Sequence, residues 1–280
     1  MKKIVLALVF ITTLSFAIQA ADISTSNGSQ LNPVNTAIPC LSIAPDSRAG
    51  GMGDVGAATT PDINSQYWNP AKYVHMKSMA GVGVSYTPWL SKLVSDIDLA
   101  YLAGYWKFDQ DQSVSASLRY FSLGDVTFRQ NEDDLGMVVS PSEYALDVAY
   151  SRLLSEKWSA AVALRYIRSD LNSGVSFGDN MYPANAVAAD VAAYFTTPII
   201  MSTGNSNLAF GLDISNIGSK VSYDKGTTND FLPTNLRLGG SFLYPFDDYN
   251  KISINADINK LLVPTQDSSM TDEEYNNLSP

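Results

Sequence analysis

The sequence predicts an all-β protein: a transmembrane β-barrel of the outer-membrane type, with an N-terminal plug segment. Three observations lead there. Segments of about 9–13 residues alternate between apolar and polar or small positions, which is the period of a strand and the length of a tilted membrane crossing. The links between these segments alternate between short and long. The chain opens with an export address.

The address comes first. Met1-Lys2-Lys3 is a basic start, residues 4–18 form an apolar run, and Ala20 and Ala21 offer small residues for cleavage. This reads as a signal peptide over 1–20, because the run is too short to serve as a membrane anchor. Residues 21–40 form a polar segment rich in Ser, Asn and Thr. Residues 41–79 are rich in Gly, Pro and Asn and are neither strand nor long helix; they are assigned to the plug. Residues 80–280 are assigned to the barrel.

Nine strands are expected, at 80–89, 96–108, 113–123, 143–153, 158–169, 185–196, 207–215, 234–244 and 251–260. One face is apolar: Val114, Leu118 and Tyr120 on the third, Leu146 and Val148 on the fourth, Ile252, Ile254 and Ile258 on the ninth. The opposite face holds small residues and about one ionisable group per strand. These are Asp98, Arg119, Asp147, Arg165, Asp190, Asp213, Arg237 and Asp257. A soluble sandwich would bury the apolar face. A membrane barrel turns it to lipid and keeps the charges in the lumen.

The links favour the barrel. Those at 109–112, 155–157 and 245–250 are tight, and 197–206 is somewhat longer. Those at 124–142, 170–184, 216–233 and from 261 onward are long. Outer-membrane barrels have this rhythm, with short periplasmic turns and longer external loops. An odd strand count and a loop-like end at 272–280 suggest that further strands are missing, since an open edge in lipid is prohibitive.

Composition excludes several functions. Lys+Arg is 18 against Asp+Glu 28, a net charge of -10, which argues against nucleic acid as a partner. A single Cys and a single His exclude a disulfide framework, Cys-rich metal sites and multi-histidine centres. No cofactor or metal is expected, nor any catalytic residue: no serine lies in a GxSxG elbow, so the chain reads as a non-enzyme. Gly51-Met52-Gly53-Asp54-Val55-Gly56 fits GxGxxG, but neither a strand before it nor a helix after it is expected, so the glycines are assigned to tight turns and close packing. Cys40 is expected to be a small buried thiol, and His75 a surface or interfacial histidine. Arg119, Asp147 and Arg165 fall on successive strands and could form a cation–anion–cation ladder in the lumen. Arg48 could dock on Asp190 or Asp213. Two acidic stretches, Glu132-Asp133-Asp134 and Asp272-Glu273-Glu274, are assigned to external loops.

Pro45-Asp46-Ser47-Arg48-Ala49-Gly50-Gly51-Met52-Gly53-Asp54-Val55-Gly56, followed by Tyr67-Trp68-Asn69-Pro70-Ala71-Lys72-Tyr73, carries a resemblance. With Ser85-Tyr86-Thr87-Pro88-Trp89, Ser115-Ala116-Ser117-Leu118-Arg119-Tyr120-Phe121 and Ala163-Leu164-Arg165-Tyr166-Ile167-Arg168, it closely resembles the PorV (LptO) family. These are outer-membrane proteins of the type IX secretion system of Bacteroidota. The Gly-rich stretch and Asn-Pro-Ala are also similar to FadL-type transporters.

The resemblance implies a FadL-like barrel of fourteen strands, about nine of them present here. It implies that Pro45, Asp46, Arg48, Gly50, Gly51, Met52, Gly53, Trp68, Asn69 and Pro70 form the plug motif. It implies binding of cargo C-terminal signal domains at a Sov/SprA-like translocon. Cargo would then pass to the PorU sortase and the attachment-complex proteins, in contact with outer-membrane lipid and lipopolysaccharide. An alternative is transport of hydrophobic solutes. A lipid A deacylase role attached to the LptO name finds no nucleophile constellation in the sequence.

Overall fold

The computed structural model describes residues 36–264, apart from 91, 93, 95, 130–135, 172–181, 203, 225–228 and 248, together with 34 and 278. The expected signal peptide and the acidic stretches at 132–134 and 272–274 therefore lie outside the described residues.

Eleven strands are described: β1 (Ala80–Pro88), β2 (Ile97–Lys107), β3 (Gln112–Leu123), β4 (Val126–Phe128), β5 (Met137–Val139), β6 (Ser142–Ser155), β7 (Trp158–Asp170), β8 (Ala184–Met201), β9 (Gly204–Gly218), β10 (Asn235–Pro245) and β11 (Lys251–Leu261). Nine of them form one antiparallel meander in the order β1-β2-β3-β6-β7-β8-β9-β10-β11. The sheet curls into a half-barrel. Each strand pairs with its sequence neighbour, so register follows from the turns and the hydrophobic pattern.

All nine expected strands are present. The link expected at 197–206 is not a loop. β8 runs on to Met201, paired with Gly204. The turn falls just before Gly204, whose φ of 133° is open to glycine alone. The long link at 124–142 contains a separate two-stranded hairpin, β4–β5.

The convex face is apolar and exposed: Val82, Val84, Val148, Leu164, Phe210, Ile254 and Ile258 all point outward. Aromatic rings gather at the short-turn end, where Trp106 meets Phe108 at 5.7 Å, Trp158 meets Phe195 at 4.9 Å and Tyr244 meets Phe246 at 5.2 Å. An apolar band edged with aromatic residues is the surface of a lipid-facing barrel. Among the described residues no helix is long and apolar enough to cross a membrane.

The concave face is packed by the N-terminal segment. This segment contains two 3-10 turns, Pro39–Ser42 and Pro70–His75, and two short helices, α1 (Ser47–Gly51) and α2 (Ser65–Trp68). It enters packing earlier than residue 41, since Ala37, Ile38 and Cys40 are already buried. At the long-loop end these residues join Leu99, Phe121, Ile167, Val221 and Leu232 in one apolar cluster. The amide of Ala37 donates to the Phe231 carbonyl at 2.9 Å. At the short-turn end Ala71 packs with Ala161, Ala192, Tyr194 and Ala209.

Candidate functional site: a clamped plug over a charged wall

The plug is held by side chains that each satisfy two separate segments. Asp46 caps α1, accepting from the Ala49 amide at 2.8 Å. Its other oxygen accepts from Trp68 Nε1, also at 2.8 Å. Asn69 caps the following 3-10 turn, accepting from the Ala71 amide at 3.0 Å. Its Nδ2 donates to the Ala57 carbonyl at 3.1 Å and to Ala193 on β8 at 2.9 Å. Pro70 needs no donor at the first position of that turn. Its carbonyl accepts from Ser151 on β6 at 2.8 Å.

The tightest approach of plug to wall lies at 56–58. Asp257 on β11 accepts from the amides of Gly56 at 2.7 Å and Ala57 at 2.9 Å. Gly211 on β9 and Gly239 on β10 face the same turn. A Cβ on Gly211 would collide with the Ala57 carbonyl, and one on Gly239 would lie 2.8 Å from Ala57 Cβ. A Cβ on Gly56 would enter the Trp68 ring. Glycine is used at these positions because backbone and ring need the space.

Gly50, Gly51, Met52 and Gly53, by contrast, are exposed. Gly53 has a φ of 81° and Asp54 a φ of 58°, which makes this stretch a tight turn. Helix α1 has five residues, and Pro45 stands just before its cap. A dinucleotide site has no footing there.

The wall carries a buried ion network. Arg165 on β7 pairs with Asp147 on β6, its register partner, and with Asp190 on β8 at 2.8 Å. It also donates to the Asn216 side chain. Asp147 accepts from Ser117 at 2.8 Å, and Asp190 from the Asn216 amide at 2.7 Å. Arg237 is register partner to Asp213, with a closest approach of 4.0 Å. Each of these five ionisable groups has relative exposure of 6% or less. Buried charge in this arrangement persists only when paired.

The structure corrects three placements read from the sequence. Arg119 does not join Asp147 and Arg165 in a ladder. It turns to the plug, donating to the Cys40 carbonyl at 2.6 Å and lying 4.7 Å from the Tyr67 ring centroid. Arg48 reaches neither Asp190 nor Asp213. It is half exposed, pairs with Asp62 and donates to Thr60 Oγ1 at 2.7 Å. Asp98 is not luminal. Leu99, Tyr101, Ala103 and Tyr105 take the inner face of β2, because the plug gives apolar side chains a partner there, so Asp98 falls outside and accepts from Tyr86 at 2.6 Å.

The sequence reading also missed three buried charges. Lys107 sits two residues beyond Tyr105, in frame with the inner face, and donates to the Met76 carbonyl at 3.1 Å. Glu143, two residues before Ala145, accepts from Ser169 at 3.1 Å. Period-two counting could have found both. Lys72 lies in a 3-10 turn with no such pattern. It is fully buried and donates to the Gly56 carbonyl at 2.7 Å and to Thr59 Oγ1 at 3.3 Å.

Burial pushes the Lys72 ammonium down to about 8, with nearby Asp62 opposing. The unfolded chain binds that proton up to about 10.5. Between these values the unfolded state holds more protons, so stability rises with pH. The penalty is complete below about 8. Wild type should therefore gain on Lys72→Met by up to about 1.4 kcal/mol per pH unit across this window. Urea midpoints at pH 7.5 and 9.5 check this, and parallel midpoints would refute it.

His75 donates to or accepts from Ser159 Oγ at 3.0 Å and stacks edge-on with Tyr194. Burial, with Lys107 adding to it, pushes its pKa down to about 4, so it is neutral near pH 7. Ser159 donates its proton to the Ala71 carbonyl at 2.7 Å. Among the described residues no carboxylate completes a triad with this pair, and no group of His, Cys, Asp and Glu side chains could hold a metal ion. Cys40 is a free, buried thiol.

Between the plug and β9–β11 a cavity of about 230 Å³ remains, lined by Tyr67, Trp68, Asn235, Arg237, Asn259 and Leu261. Arg237 lies 4.5 Å from the Trp68 ring centroid and donates to Asn259 at 2.9 Å.

No curated protein matches the chain. The family described as type IX secretion system protein PorV matches residues 26–268, which spans the plug and all the described strands. With the half-barrel, its apolar outer face and its plugged inner face, this match places the chain in the PorV family of type IX secretion system proteins, outer-membrane components of that machinery.

Proposed function

We propose that this protein binds the C-terminal signal domain of secreted cargo at the Sov/SprA-like translocon and carries it to the PorU sortase and its attachment partners. It does so without catalysing a reaction. Family membership supports the secretion role. The observation that carries the reading further is the filled inner face. The clamp at 56–58 fixes the plug to the described half of the wall, where the Arg165 network is buried, which supports a working surface on the external loops and rim.

The alternative, a FadL-like transporter of hydrophobic solutes, needs an apolar path through the lumen. A wall crossed by Asp147, Arg165, Asp190, Asp213 and Arg237 disfavours it.

Cells lacking the gene, complemented by the full reading frame or left uncomplemented, separate the two. Without the protein, cargo should accumulate with its signal domain uncleaved while uptake of a labelled long-chain fatty acid stays normal. Correctly attached cargo together with impaired uptake would sink the shuttle reading.

A further inference from the structure

The lipid-facing side of β1, β2, β3 and β6 is not smooth. Gly104 and Ala116 are register partners on β2 and β3, both pointing outward. Val82 on β1 and Val148 on β6 flank them in the same row. Where the neighbouring rows carry Leu102, Leu118 and Trp106, the two central positions of this row carry only Gly104 and Ala116. The result is a hollow of about 560 Å³ with an apolar lining. That is far more than a gap between two packed side chains, and within the range of small-molecule sites, about 300–1,000 Å³.

Its depth is fixed by the turns. Gly104 stands four residues from Phe108, at the short-turn end. At about 3.4 Å per residue and a tilt near 40°, the hollow lies roughly 10 Å inside the periplasmic boundary. It therefore opens into the periplasmic leaflet, where phospholipid and not lipopolysaccharide is found.

Above the hollow, on the same outward face, β6 continues through Tyr150 to Arg152 at the rim. Arg152 is exposed, is register partner to Gln112 and has no ion-pair partner among the described residues. The β2–β3 turn lies against it, with the Leu153 amide donating to the Asp111 carbonyl at 2.7 Å. In that turn Asp109 is used locally, accepting from the Asp111 amide and from Gln112 Nε2. Asp111 presents a carboxylate with no such bond. A cation and an anion that form no ion pair with each other thus stand on neighbouring segments at headgroup level, with Arg152 four residues along β6 from Val148 in the hollow.

We propose that this is a binding site for one zwitterionic phospholipid of the periplasmic leaflet. An acyl chain lies over Gly104 and Ala116. The phosphate meets Arg152 and the ammonium meets Asp111. The proposal rests on the membrane placement of the sheet and is independent of cargo binding. The hollow cannot be hydrated favourably, because it offers water no polar partners. Trp106 lines it and Phe108 lies against that ring at the interface, where aromatic rings settle.

The test uses the full-length protein extracted from outer membranes into mild detergent and examined by native mass spectrometry. Wild type should retain about one phosphatidylethanolamine per chain, a stoichiometry that follows from a single hollow with a single headgroup pair. Ala116→Leu, which fills the hollow, and Arg152→Gln, which removes the phosphate partner, should each lower retention several-fold. Arg152→Lys should restore it. Gly240→Leu, on the outward face of β10 with no atom within 3.8 Å of its new Cβ, should leave it unchanged. Arg152→Gln keeps the apolar face intact, so it decides the question even if Ala116→Leu folds poorly. Equal retention in wild type and Arg152→Gln would mean ordinary annular lipid and overturn the site. So would a photo-crosslinker at position 116 that captures a protein in cells, since the hollow would then be a protein interface. Resistance of the protein to carbonate extraction, measured alongside, distinguishes failure of the site from failure of the membrane placement.

Discussion

Arg165→Met should destabilise the folded protein by about 3–5 kcal/mol, the usual cost of removing one partner from a buried ion network. The substitution fits the space and leaves the backbone alone, so the loss is electrostatic. Asp147 would keep only Ser117 as a donor, and Asp190 only the Asn216 amide. Two buried carboxylates on the strands either side of β7 would then lack their shared cation. The comparison that isolates this cause is a triple variant. Arg165→Met combined with Asp147→Asn and Asp190→Asn removes the unpaired charges and should recover most of the loss. Urea titration of protein folded into lipid vesicles, followed by the gel shift of the folded barrel, gives the numbers. A loss for Arg165→Met below about 1 kcal/mol would mean that water or the plug already screens the network.

Gly211→Val should lift the plug from the wall. The new Cβ would overlap the Ala57 carbonyl and stand 3.1 Å from the Ala58 amide nitrogen. Both obstacles are backbone, so no rotamer change relieves them. Asp257 and Asn69 hold the same turn in place from the other sides. The expected loss is at the top of the range for overpacking, about 3 kcal/mol. The local effect is more telling. Ala58 is 1% exposed. A thiol introduced by Ala58→Cys, with Cys40→Ala to remove the native one, should be inert to maleimide. Adding Gly211→Val should expose it. Gly240→Val, one strand over but on the lipid face, should not. Equal labelling in the Gly211→Val and parent proteins would show that the wall yields instead of the plug.

The sequence made the sheet legible and the plug opaque. Period-two alternation needs no knowledge of partners, so Val114 to Tyr120 and Leu146 to Tyr150 were placed on the outer face by counting. The ends of β8 and β9 were not: the link expected at 197–206 is mostly strand, with Pro198 in register with Asn207. β2 misled for another reason. Both of its faces are apolar, with Leu99 and Tyr101 inside and Leu102 and Trp106 outside. Only the presence of the plug decides between them, and that is a tertiary fact. Arg119 shows the same limit. Its face was right, but its partner is the Cys40 carbonyl, a backbone group that no pattern of charged residues can reveal. Lys72 was invisible because a 3-10 turn of six residues carries no periodicity to read.

The bond from Asp257 to the amides of Gly56 and Ala57 joins positions 200 residues apart in the chain. It sets an order of events during biogenesis. The turn at residues 56 and 57 cannot be locked until β11, far behind it in the chain, has joined the sheet. Contacts of such separation form late, because the loop they close must first be ordered. Residues 37–41 and Tyr73 rest on β2, β3 and β7, but until then the 56–58 turn has no clamp. The chain thus passes through a stage in which its earlier strands are paired while the 56–58 turn is still unclamped. That is the stage at which periplasmic holdases would have the most to shield, and at which substitutions in Asp257 should slow maturation more than they weaken the finished protein.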